Sequence, residues 1–191
     1  MSVGLLIAIV VVVAAAVFVG LTYNRMVARR QATDNSWAQI DVALRRRHDL
    51  VPTLVESVKG YATHERGTFE NVAGARSAAI AAQGPAQRAA AEGRLTSAVG
   101  GVIAVAEDYP ELEASTNFSQ LQGQLSDTED QIQITRRVYN DTVQTYNTLI
   151  QVFPAVLVAR IFGFLPREFF DAPAEAEATP AVDLSGSAAD S

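Results

Sequence analysis

The first hydrophobic pattern along the chain is a uniform one. Residues 3–21 are nineteen positions without a charge or a proline. As a helix this run would span roughly 28 Å, against a bilayer hydrocarbon core of about 30 Å. A cleavable signal sequence would place a basic stretch before a shorter apolar one, whereas only Met1 and Ser2 stand ahead of this run, so residues 1–22 are expected to form a transmembrane anchor. The pattern then becomes periodic. Met26, Arg30, Thr33, Trp37, Ile40 and Leu44 recur at three-four spacing and predict a helical stripe continuous with the anchor, diluted by Arg30 and Thr33. Asp49-Leu50-Val51-Pro52 offers a cap and a proline suited to a first turn, so a second helix is expected to begin there. It would carry Leu54, Val58, Tyr61, Phe69, Val72 and Ala79 and stop at Gly84-Pro85.

A third helix is predicted from Pro85 to about Asp108, with Leu95, Val99, Val102 and Ala106 inward and Gly100-Gly101 as its weak point, each glycine costing about 1 kcal/mol relative to alanine. Tyr109-Pro110 should end it. The fourth has the clearest signal: Phe118, Leu121, Leu125, Thr128, Ile132, Thr135, Tyr139, Thr142, Tyr146, Leu149 and Phe153 follow at spacings of three and four, flanked by Val138, Val143 and Ile150. Phe153-Pro154 closes it. Short breaks between helices return the chain alongside itself. The predicted fold is therefore all-α: an N-terminal transmembrane helix followed, over residues 23–154, by an antiparallel up-and-down four-helix bundle whose last helix returns toward the bilayer. Residues 155–170, with Val156, Leu157, Val158, Ile161, Phe162, Phe164, Leu165, Phe169 and Phe170 around Arg160 and Arg167, form an apolar aromatic segment near the membrane. Gly163 and Pro166 favour a fold-back that closes the base of the bundle over one long interfacial helix. Residues 171–191, rich in Ala, Glu, Pro, Ser and Asp, are expected to form a disordered acidic tail.

Charge changes the picture only once it is located. The formal net charge is −6, but Asp171, Glu175, Glu177, Asp183 and Asp190 lie in the tail, and the remainder is near neutral. No phosphate-neutralising face is required, so nucleic acid is not an expected partner. Arg25, Arg29 and Arg30 follow the anchor, with Arg45, Arg46 and Arg47 beyond; no charged side chain precedes it. The positive-inside rule then puts the N-terminus outside and the bundle in the cytoplasm.

Candidate chemistry is sparse. The chain has no cysteine, His64-Glu65 lacks a second histidine four residues on, and His48 has no His or Cys neighbour, so neither a metal nor a cofactor is expected. No nucleophile-elbow, Walker A or dinucleotide-binding pattern occurs. Glu129 and Arg136, and Arg47, Asp49, Glu56, Lys59, Glu65 and Arg76, are charges of the kind that line a solvated face or pair between helices to fix register. Tyr139-Asn140 and Tyr146-Asn147 repeat at a heptad, and both tyrosines are expected in the core with their hydroxyls hydrogen-bonded. No catalytic, cofactor or metal residue is assigned.

Several runs are shared with a known family: Trp37-Ala38-Gln39-Ile40-Asp41-Val42, Arg46-Arg47-His48-Asp49-Leu50-Val51-Pro52, Val58-Lys59-Gly60-Tyr61 with His64-Glu65, Tyr109-Pro110, Asn117-Phe118, both Tyr-Asn pairs, Phe153-Pro154 and Phe162-Gly163-Phe164. Over residues 20–170 the chain resembles the LemA family of bacterial membrane proteins. The resemblance implies a single-pass protein with a short outer N-terminus and a cytoplasmic helical bundle, without an established enzymatic activity or cofactor. A branch associated with magnetosome membranes implies a role in membrane organisation. Gly100-Gly101 and the acidic tail depart from the family pattern. The expected function is a non-enzymatic scaffold at the cytoplasmic face of the membrane, whose partners are the lipid bilayer and either an unidentified protein or a second copy of itself. Membrane remodelling by residues 156–170 is the alternative. A hydrolase using Glu56, Glu65 or Glu129 ranks last.

Overall fold

In the computed structural model residues 2–170 are described; the expected acidic tail at 171–191 lies outside the described residues. Among them all regular structure is helical. α1 (Val3–Lys59) is one helix of 57 residues, about 86 Å long at 1.5 Å per residue. Residues 2–18 are exposed along their whole length, as expected where lipid rather than protein is the neighbour. Further on, Met26, Thr33, Ile40, Leu44, Val51, Leu54 and Val58 are buried, so the three-four stripe continues through the position where a break was expected.

Pro52 does not start a helix; it lies inside α1. A proline there cannot donate to the carbonyl four residues back, that of His48. The structure supplies another donor: Arg76 Nε lies 2.7 Å from the His48 carbonyl oxygen. α1 therefore runs on to Lys59, and the turn comes at residues 60–65, where Ala62 is buried and Tyr61 is exposed rather than core.

α2 (Arg66–Ala81) buries Phe69, Val72 and Ala79. Gly84, at φ +75°, precedes Pro85 in the first turn of α3 (Pro85–Glu107), the combination that reverses the chain here. Gly100 and Gly101 sit inside α3. A Cβ on Gly101 would meet Thr68 Cγ2 at 3.8 Å, an ordinary contact, and one on Gly100 would meet nothing within 4 Å, so neither glycine is demanded by a close approach. Where only a helix end was expected at Tyr109-Pro110, a single turn, α4 (Pro110–Glu113), places Leu112 in the core. α5 (Thr116–Gln151) buries ten residues of the predicted seam and its flank, from Phe118 to Ile150. Val138 is exposed, and so is Phe153, beyond the end of α5. α6 (Ala155–Phe162) then turns by 96° from the axis of α5. The described chain thus forms six helices where four were expected.

Cross-helix contacts fix the directions. Met26, Trp37 and Arg47 of α1 meet Tyr146, Tyr139 and Glu129 of α5, an antiparallel register. Arg88 and Glu92 of α3 reach Asp41 and Arg47, so α3 runs with α1. Lys59 over the Phe69 ring and His48 against Arg76 make α2 antiparallel to α1. Three apolar clusters follow one another along α1. One lies around Met26, Tyr146, Val158 and Phe164, a second around Ile40, Leu44, Tyr139 and Phe170, and the largest around Val51, Leu54, Val72, Leu95, Val102 and Leu121.

Candidate functional site

Between the second and third clusters lies a buried group of charges. The three-four row Ala89, Glu92, Leu95, Val99 and Val102 puts Glu92 on the inward side of α3. Arg47 projects from α1 at the same level. Its Nη2 bonds the Glu92 carboxylate and approaches the Glu92 carbonyl at 3.3 Å, while Nη1 reaches Glu129 Oε2 at 2.8 Å, Glu129 Oε1 at 3.0 Å and Thr96 Oγ1 at 2.8 Å. His48 Nε2 lies 2.7 Å from the other Glu92 oxygen, Oε1. Burial alone would raise the Glu92 pKa. The hydrogen bond to His48 and the adjacent Arg47 charge more than offset it and hold the carboxyl below its ordinary value. One arginine thus joins α1, α3 and α5 through two carboxylates, an arrangement that sets helix register.

The neighbouring groove between α3 and α5 holds a cavity of about 330 Å³, lined by Val99, Gly100, Ile103, Gln122, Leu125 and Glu129 among others. The other charges singled out from the sequence do not gather there. Glu56 pairs with Lys59 on the exposed side of α1, Glu65 precedes α2, and His64 is exposed. Among the described residues no group of three or more His, Cys, Asp or Glu side chains is placed to hold a metal.

The heptad-spaced Tyr-Asn pairs have a more definite role. After Gly163, which ends α6 in the left-handed region at φ +69°, residues 164–170 run back along α1 and α5. Tyr146 Oη donates to the Leu165 carbonyl at 2.9 Å and Tyr139 Oη to that of Glu168 at 2.8 Å. Asn147 Oδ1 accepts from the Arg167 N–H at 2.8 Å and Nδ2 donates to its carbonyl at 2.9 Å; Asn140 Oδ1 accepts from the Phe170 N–H at 2.9 Å. A heptad of helix rises about 10.5 Å, and three extended residues cover about 10 Å, so each pair meets the strap three residues further along. Burial raises the Tyr146 pKa and pushes that of Tyr139 up to about 12. Phe164 and Phe170 fill the groove, and Arg167 bonds Asp34 at 2.7 Å. Residues 164–170 therefore close the base, whereas α6 keeps an exposed apolar side.

Sequence reasoning identified the tyrosines as hydrogen-bonded core residues but did not connect them to the strap. Glu92 was missed; its place in the inward row of α3 was the available signal.

These features define an all-helical protein with one helix long and apolar enough to cross a membrane. The chain belongs to the LemA family, whose model matches residues 36–184. It is 26% identical over 176 residues to magnetosome protein MamQ 2 of Paramagnetospirillum magneticum, with 78% of this chain and 65% of that protein covered. Magnetosome protein MamQ of Magnetospirillum gryphiswaldense is 24% identical over the same extent. The chain thus spans slightly less than two thirds of these relatives' length.

Proposed function

We propose that the chain is a non-enzymatic, single-pass membrane scaffold whose body, an up-and-down bundle of α1, α2, α3 and α5, stands at the cytoplasmic face and holds a protein partner or a second copy. The observation that carries this reading is the continuity of α1, which joins the exposed apolar run to the packed body without a hinge. Whatever docks on the body is then held at a fixed height above the bilayer. Arg25, Arg29 and Arg30, just after the apolar run, support the cytoplasmic orientation. The buried charges support the non-enzymatic part, since Glu92 and Glu129 are both engaged by Arg47. The relatives are named as magnetosome proteins, which supports membrane organisation as the process served.

Photocrosslinking in cells from Gln133 and Gln144, both exposed on α5, tests the scaffold. Capture of this chain or of one reproducible protein is expected; recovery of lipid alone would refute it. Membrane remodelling is the second reading, and the exposed apolar side of α6 favours it.

A further inference from the structure

Across the end of the α1–α5 pair, α6 presents two unlike sides. Ala155, Val158 and Ala159 are buried in the cluster that holds Met26, Tyr146 and Ile150. On the other side Phe153, Leu157, Ile161 and Leu165, each four residues from the next, are 80%, 52%, 76% and 74% exposed. Nothing in the chain covers this row. Its height is fixed by α1: Val19 packs on the α6 cluster, and the Tyr23 ring lies 4.9 Å from that of Phe162. Val19 belongs to the apolar run and Tyr23 follows its end, so α6 lies level with the last turn of the span. Because α6 is bent 96° from α5, which packs along α1, it lies across the anchor axis, in the plane a bilayer surface would occupy.

Charge separates along the same axis. The two segments that form this end, residues 1–33 and 142–167, contain Arg25, Arg29, Arg30, Arg160 and Arg167 and no Lys, Asp or Glu. Arg25 and Arg160 are exposed beside the apolar row, and the acids begin only at Asp34, Asp141 and Glu168. An apolar row at the edge of a membrane span, bordered only by cations, matches the interface of a bilayer bearing anionic headgroups.

We propose that α6 and its flanking residues Phe153 and Leu165 form a second membrane contact, seated in the lipid interface beside the anchor, with Arg25 and Arg160 on anionic phospholipid headgroups. This rests on the membrane-anchored reading of α1 but not on the scaffold role. The apolar row enters the acyl boundary while the buried side of α6 stays on the protein.

The absence of cysteine makes the test direct, since each introduced cysteine is unique. The full chain, carrying Ile161→Cys, Leu165→Cys, Val10→Cys or Gln133→Cys and a nitroxide label, is reconstituted in vesicles of phosphatidylcholine with phosphatidylglycerol. Collisions with oxygen and with a water-soluble nickel chelate report depth. Labels at 161 and 165 are expected to be oxygen-accessible and several-fold less accessible to nickel than the label at 133. Nickel accessibility equal to that at 133 would overturn the proposal; shielding from both reagents would do so in favour of contact with a second copy. Water exposure of the label at 10 would remove the anchor, and the proposal with it. Replacing Arg25 and Arg160 together by glutamine is expected to reduce immersion at 161 in the anionic vesicles to its value in phosphatidylcholine alone. Unchanged immersion would overturn the headgroup assignment.

Discussion

Arg76→Ala removes a donor whose acceptor was created by a proline. In α1 the His48 carbonyl has no helical partner, because residue 52 has no N–H, and Arg76 Nε at 2.7 Å takes that place. Deleting the guanidinium leaves a carbonyl on a largely buried residue unsatisfied, at a cost of about 1–3 kcal/mol. For a folded unit of this size each kcal/mol shifts Tm by about 2–4 °C, so the full chain in detergent should melt about 2–12 °C lower by helical circular dichroism. The control is Pro52→Ala. Alanine restores the N–H, the α1 ladder closes, and Arg76→Ala should cost markedly less in that background. The double-mutant cycle should give a coupling of about 1 kcal/mol or more between residues from different helices. Strictly additive effects would refute the view that Arg76 serves the carbonyl orphaned by Pro52.

Glu92→Ala should be the most damaging single charge deletion, about 3–5 kcal/mol in a melt, because Arg47 and His48 lose a buried partner; Glu56→Ala, in an exposed pair, should change stability by about 1 kcal/mol or less. The folded pKa of Glu92 is lowered, so its contribution is complete above the ordinary value of 4.5 and is lost as pH falls through the folded value; the melting temperature of Glu92→Ala should fall less over that range. Tyr139 has the opposite sign: with its folded pKa raised to about 12, its contribution is complete below pH 10 and is lost as pH rises toward 12, a loss that Tyr139→Phe should reduce in alkaline melts. Leu95→Ala, in the largest cluster and fully buried, should cost about 2–5 kcal/mol by denaturant unfolding without altering the ion pairs of Arg47.

The apolar run and the seam of α5 were legible in the sequence because each is a strictly local pattern: one needs only length, the other only spacing. Residues whose setting depends on a distant partner were not. Pro52 reads as a helix start until Arg76 is placed beside it. Phe153 continues the spacing of the seam but lies beyond the corner where the chain leaves its partner, so it is exposed. Glu92 satisfies the inward spacing of α3, yet its charge marks it as a surface residue until Arg47 and His48 are placed opposite. The Tyr-Asn repeat announced a heptad-spaced function, but the matching rise of an extended strap appears only once the chain is known to return.

The uninterrupted α1 also sets an angular phase. In a rigid helix each residue advances the azimuth by 100° and the height by 1.5 Å. The face that the body turns to its neighbours is therefore determined by the number of residues between Leu21 and Trp37 as much as by their identity. A single insertion there would keep every side chain of the body and every apolar residue of the span, yet swing the body by more than a quarter turn relative to the span. Copies associating through their spans would then present different faces to one another. In that sense the juxtamembrane stretch works as a gearing between the bilayer and the body, and its length is under constraint even where its side chains touch nothing.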